Sequence, residues 1–180
     1  MKKLYLILFT SLLITGCSSS STETAPGFVA KCDQIKKIEG SEKSALMRCL
    51  DGSGEVNFYQ IKGPIVVNVW GSWCDGCRQE MPYFVELYQN PIFKSGQIQM
   101  VGINVEEKSK DIAIKFIEKS GMSWPNLEDS SDLSKSIFGP GVPVTWFIDE
   151  NGKMIASKIG AYSNKKQLFA QVEKAFGVKL

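Results

Sequence analysis

The 180-residue chain predicts an α/β fold: a central mixed sheet flanked by helices, with an N-terminal β-hairpin and a central αβ insert. Two observations carry the sheet. Ile65-Val66-Val67-Asn68-Val69-Trp70 and Ile98-Gln99-Met100-Val101-Gly102-Ile103-Asn104-Val105 are nearly continuous apolar runs, as in strands buried on both faces. Each is followed by a segment of helical period, and strand–helix–strand–helix order implies βαβ crossovers and a parallel core. A third observation places chemistry on that frame. Cys74 and Cys77 stand two residues apart where the first run gives way to its helix, the position and spacing of a redox pair.

The start of the chain lies apart from the fold. Lys2 and Lys3 precede an apolar run, Leu4 to Ile14, that is shorter than the ~20 residues a spanning helix needs. Basic residues, a short apolar run and small residues mark residues 1–16 as a secretory signal. Ile14-Thr15-Gly16-Cys17 also resembles a bacterial lipobox, which implies lipidation of Cys17 and several acyl chains holding the protein at a membrane surface. Without lipidation the protein is simply secreted. Residues 17–27 are small and polar and read as a flexible tether. Residues 28–180 form the domain, of which 28–63 are an N-terminal extension and hairpin.

Within the extension, Leu46–Leu50 and Glu55–Tyr59 flank Asp51-Gly52-Ser53-Gly54, a hairpin signature. Gly63-Pro64 breaks the chain before the first apolar strand. Asn68 inside that strand reads as a buried amide with satisfied hydrogen bonds. The helix from Arg78 to about Gln89 turns Met81, Phe84, Val85 and Tyr88 to one side. Pro82 inside it cannot bond the Arg78 carbonyl and predicts a kink. The next helix, Lys108 to Lys119, offers Ile112, Phe116 and Ile117 to the core. Trp124–Leu127 reads as a short edge strand, and Asp132–Phe138 as a short helix capped at its start. Val142–Ile148 and Lys153–Ile159 form a second hairpin around Asp149-Glu150-Asn151-Gly152. Ser163–Phe176 closes the chain as a helix with Leu168, Val172 and Phe176 inward. No repeat or second domain interrupts this order.

Composition excludes several functions. Removing residues 1–16 takes two of the 21 basic residues and none of the 19 acids, leaving a formally neutral domain with no electrostatic reason to bind nucleic acid. The chain has no histidine, which excludes Ser-His and Cys-His catalysis and His-ligated metal. With Cys17 assigned to lipid, Cys32, Cys49, Cys74 and Cys77 remain, an even number suited to disulfides in an oxidising compartment. A zinc site of all four is the rival, but only Cys74 and Cys77 have knuckle-like spacing. A Cys32–Cys49 bridge would staple the polar run Lys31–Lys43 to the hairpin, worth ~3 kcal/mol in the chain-entropy model. The alternative is a second exchange pair relaying electrons to Cys74 and Cys77. At the helix start the peptide dipoles favour an anion, so Cys74 ionises the more readily and the two sulfurs share one face.

Trp70-Gly71-Ser72-Trp73-Cys74-Asp75-Gly76-Cys77 after an apolar strand, with Pro82 in the following helix, resembles the active site of the thioredoxin-like fold. Val142-Pro143-Val144-Thr145 ahead of a hairpin matches that fold's cis-proline loop. Asn68, the run Glu80-Met81-Pro82-Tyr83 and the long insert Asn104–Ser136 make the closer resemblance one to TlpA/ResA-type extracytoplasmic thiol–disulfide oxidoreductases. The resemblance covers roughly residues 45–176. It implies Cys74 as exposed nucleophile and Cys77 as resolving thiol, with no cofactor and no metal. Trp73, Val142 and Pro143 would meet the substrate, the backbone of Val142 pairing with an extended segment; for Trp73, plain packing is the alternative. Glu80 would tune the thiols and accept protons, or else is a solvated carboxylate that merely suits the helix dipole.

Asp75-Gly76 departs from the family pattern, which often has proline before the second cysteine. Asp75 opposes thiolate formation at Cys74 and implies a more reducing couple. The expected activity is therefore reduction of disulfides in exported proteins; the resemblance implies apocytochrome c during cytochrome c maturation as the leading target type. The resemblance further implies a membrane electron donor such as a CcdA/DsbD-like protein; the lipid anchor follows from the lipobox at Cys17, and a monomer is expected. A disulfide oxidant or isomerase is the alternative within the class. A non-catalytic binding or chaperone module, with a structural Cys74–Cys77 bridge, is the alternative outside it.

Overall fold

The computed structural model describes residues 25–180; the signal segment, Cys17 and most of the tether lie outside these residues. Seven strands form one sheet: β1 (Leu46–Cys49), β2 (Glu55–Asn57), β3 (Ile65–Trp70), β4 (Gln99–Val105), β5 (Asn126–Asp129), β6 (Val144–Ile148) and β7 (Met154–Ile159). Their spatial order is β2-β1-β5-β4-β3-β6-β7. β3, β4 and β5 run parallel, while β6 joins β3 and β1 joins β5 antiparallel. The sheet is thus mixed, with a parallel centre and antiparallel margins.

Five helices accompany it: α1 (Asp75–Tyr88), α2 (Pro91–Lys94), α3 (Lys110–Ser120), α4 (Leu133–Phe138) and α5 (Lys165–Phe176). Side chains of β3 alternate between two hydrophobic clusters. Val66 and Trp70 face Met81 and Phe84 of α1, Ile117 of α3 and Leu168 of α5. Ile65, Val67 and Val69 face Met47 and Val56 of the hairpin, Phe58, and Phe138 of α4. Every residue of β3 and β4 is buried, so neither face could be polar and the runs had to be continuous. Among the described residues no helix is long and apolar enough to cross a membrane.

Three local expectations change. The short strand near Trp124 is not an edge: β5 lies between β4 and the hairpin strand β1, whose Arg48 pairs with Glu128 at 3.1 Å. The extension itself covers the edge that the insert would otherwise leave open. Asp132 does not cap α4; it stands at φ 55°, and its side chain bonds no helix N–H. Asp129, at the end of β5, accepts instead from the N–H groups of Ser131, Leu133 and Ser134. In α3 the inward stripe is Ala113 and Ile117, which leaves Ile112 exposed, 100° around the helix. Pro82 lies within the continuous 14-residue helix α1.

Candidate active site

The carboxyl ends of β3 and β4 and the loop before β6 converge on the Cys74–Cys77 disulfide, whose Cα atoms are 5.3 Å apart. Cys74 is the N-cap of α1. Its backbone is extended, and its Sγ accepts the Cys77 N–H at 3.1 Å, one of the helix-start donors without an intrahelical partner. The helix begins at Asp75, three residues earlier than its apolar period announces. In this oxidised state Cys74 is buried, 6% exposed, rather than open, and Cys77 is wholly covered.

The two residues between the cysteines have distinct surroundings. A Cβ on Gly76 would stand 3.3 Å from both Pro143 Cδ and Ala161 Cβ. Glycine therefore lets the first turn of α1 approach the Val142–Pro143 loop, and the Val142–Pro143 bond is cis, as the resemblance implies. Asp75 pairs with Arg78, which also donates to the Ser72 carbonyl at 2.5 Å. The acid expected to oppose a thiolate on its own comes with a compensating cation, though both side chains are exposed and the pair is weak.

Glu80 differs most from a surface carboxylate. It is wholly buried. Its Oε1 accepts from Asn68 Nδ2 at 3.3 Å and its Oε2 from the Tyr162 N–H at 2.9 Å. Burial raises its pKa to about 7, against the opposing pull of the Tyr162 N–H, the Asn68 amide and the charge of Lys158. The solvated-carboxylate reading fails, because Glu80 lies with Cys77 on the buried face of α1 and its side chain points into the core. Tyr162 is raised too, first by burial and then by Glu80. Asn68 is buried as expected, but only half satisfied, since its Oδ1 has no partner.

Trp73 is half exposed, with its indole N–H on the Val105 carbonyl at 3.3 Å. Its ring lies across Gly71 and separates two hollows, one walled by Val142 and Gly141, the other by Ile112 and Glu107. Sequence reasoning missed Glu107. Its carboxylate accepts from the Ser72 N–H at 2.5 Å and the Ser72 hydroxyl at 2.9 Å, pinning the loop ahead of Cys74. Parallel register was the available signal: Trp70 opposes Asn104, so the residues just past β4 must lie beside those just past β3. Tyr162 was missed as well; it contributes to Glu80 through its backbone, which no side-chain pattern encodes.

Cys32 and Cys49 form a second buried disulfide, Cα–Cα 6.1 Å, in the cluster on the opposite sheet face from Cys74 and Cys77. The four cysteines are therefore two separate pairs, and not one metal site. A thiolate and a resolving thiol at a helix start, with the Val142–Pro143 loop against its first turn and a buried carboxylate in the same helix, can exchange electrons with another disulfide through a mixed-disulfide intermediate.

Known proteins point the same way. The model of the AhpC/TSA family matches residues 22–157. The thiol-disulfide oxidoreductase ResA of Geobacillus kaustophilus is 37% identical over 148 residues, 82% of this chain and 74% of that protein. ResA of Geobacillus thermodenitrificans is 36% identical over 132 residues, 73% of this chain and 64% of that protein. A secreted Mycobacterium tuberculosis disulfide oxidoreductase homologous to E. coli DsbE shares the fold, with a TM-score of 0.63 at 18% identity, over 73% of this chain and 96% of that one. By family match, identity and fold together, the chain belongs to the AhpC/TSA family and is a ResA-like, thioredoxin-like thiol–disulfide oxidoreductase.

Proposed function

We propose that the protein is a lipid-anchored, extracytoplasmic reductant of disulfides in exported proteins, acting through Cys74 and Cys77. The observation that carries the direction is the buried Glu80, one helical step past Cys77. A carboxylate held beside paired thiols disfavours their thiolates, and a couple whose reduced form lacks that stabilisation is the stronger reductant.

In this reading Cys74, as thiolate, attacks one sulfur of the target disulfide. The Cys74–target bond forms, the target S–S bond breaks, and the first target sulfur leaves as a thiolate. Cys77 then passes its proton to Glu80 and attacks Cys74 Sγ. The Cys74–Cys77 bond forms, the Cys74–target bond breaks, and the second target sulfur leaves as a thiolate, to which Glu80 can return the proton. Two electrons have moved to the target, whose thiolates take up the two protons released from Cys74 and Cys77. The backbone of Val142, just ahead of Pro143, offers pairing to the target segment, and Trp73 flanks it. A membrane dithiol donor of the CcdA/DsbD type would reduce the resulting disulfide again. The signal at 1–16, lipidation at Cys17 and the tether to residue 27 support the placement outside the cytoplasm. Apocytochrome c with oxidised haem-site cysteines is the target type this reading favours, and the protein works as a monomer without cofactor or metal.

Trapping tests it. Cys77→Ser leaves Cys74 unable to resolve mixed disulfides, so the partners accumulate and can be identified by mass spectrometry. Haem-site apocytochromes among them support the reading; many other targets without them remove that substrate. Insulin reduction by dithiothreitol that survives Cys74→Ser unchanged would remove Cys74 from the chemistry altogether.

A further inference from the structure

The buried pair Asn68–Glu80 has a hydrogen-bond arrangement that suits only one of its two protonation states. Both side chains are fully buried. Each Glu80 oxygen faces a donor, Asn68 Nδ2 at 3.3 Å and the Tyr162 N–H at 2.9 Å, while Asn68 Oδ1, an acceptor, has no partner. That arrangement fits a carboxylate. A proton on either oxygen would meet an N–H pointing back at it, and an acid proton without an acceptor is costly in a core. The backbone donor of Tyr162 cannot change its chemistry. The amide of Asn68 can, since half a turn about its last torsion exchanges donor for acceptor.

We propose that Asn68 is a positioning residue for Glu80 that rotates its amide by half a turn when Glu80 takes up a proton, Nδ2 donating to the carboxylate and Oδ1 accepting from the acid. Each state then keeps one Asn68–Glu80 hydrogen bond, and neither leaves the acid proton stranded. Aspartate at position 68 would set a second charge against Glu80, and leucine would serve neither state; asparagine serves both. The inference rests on the reading of Glu80 as proton acceptor for Cys77. The other titratable or charged groups that act on Glu80 or on its partner are Lys158 from β7 and Tyr162 from the β7–α5 connection, and Cys77 stands three residues before Glu80 on the buried side of the same helix. From α5 the neutral Gln171 bonds the Tyr162 hydroxyl at 2.8 Å, and β6 sets Thr145 opposite Asn68 in register.

The test uses the intact oxidised protein, with the Glu80 carboxyl carbon and the Asn68 side-chain amide followed by NMR from pH 5 to 9. The expected result is that the two Asn68 Hδ2 resonances move with the Glu80 carbon, at one midpoint near pH 7, and that their contacts to the Glu80 side chain weaken below it. Glu80→Gln, which cannot titrate there, should hold the Asn68 signals constant. Titration of Glu80 with Asn68 unmoved overturns the proposal, and so does movement of Asn68 that persists in Glu80→Gln. Neither readout measures exchange, so failure here is distinct from failure of the Glu80 reading, which is judged by the pH profile of disulfide reduction in Glu80→Gln.

Discussion

Burying Glu80 makes the stability of the oxidised protein depend on pH, and the sign follows from its two states. The carboxyl titrates at about 7 when folded and near 4.5 when unfolded, so between these values the native state binds more protons. Stability contributed by this group is fully present below about pH 4.5 and is lost as pH rises through 7. The loss amounts to about 3 kcal/mol at most. Denaturant titrations at pH 5 and pH 8 should show it in the native sequence, while Glu80→Gln, neutral throughout, should lack this component. Equal pH dependence in both proteins would exclude Glu80 as its source. The same burial equips Glu80 for proton transfer near neutral pH, where a group of matched affinity works best.

The N-terminal extension is the element that the rest of the fold could most easily have lacked. It holds on through backbone bonds at Gly27 and Phe28, a bridge between Ala30 and Pro125, and the Cys32–Cys49 disulfide to β1. Because that pair is buried on the sheet face opposite Cys74 and Cys77, replacing both by serine should lower stability by ~2–4 kcal/mol and leave insulin reduction within about twofold. Loss of exchange at unchanged stability would instead mark the pair as a relay. The hairpin it secures pairs with β5, which converts a predicted edge into an interior strand. The α4 start shows a parallel shift: sequence position nominates Asp132 as cap, but the chain's path brings Asp129 within reach of three N–H groups. Capping is decided by where β5 ends, and local spacing does not encode that.

Across the whole molecule, β3 is shared by two cores. Val66 belongs to the cluster under α1, α3 and α5, and Val67 to the one under the hairpin and α4. Truncating either to alanine should cost about 2 kcal/mol, and in each case far-UV and near-UV dichroism should report one common transition. Two separated transitions would show the faces unfolding independently. The features legible in the sequence were those with a local or periodic cause. Continuous apolar runs announced strands with two covered faces; Cys74 and Cys77 at a strand-to-helix junction announced a bonded pair; and Val142-Pro143 stands cis, as the family resemblance implies. Glu107, the backbone of Tyr162 and the cap at Asp129 had no such cause, since each acts through a partner distant in sequence or through main-chain groups that every residue has. By itself, then, the sequence determined the class of fold, the position of the sulfurs and the chemistry open to them. Only the tertiary structure decided which carboxylate of that helix is buried, what it bonds to and which face carries the second disulfide, because burial and pairing arise from contacts between segments that no single stretch of chain contains.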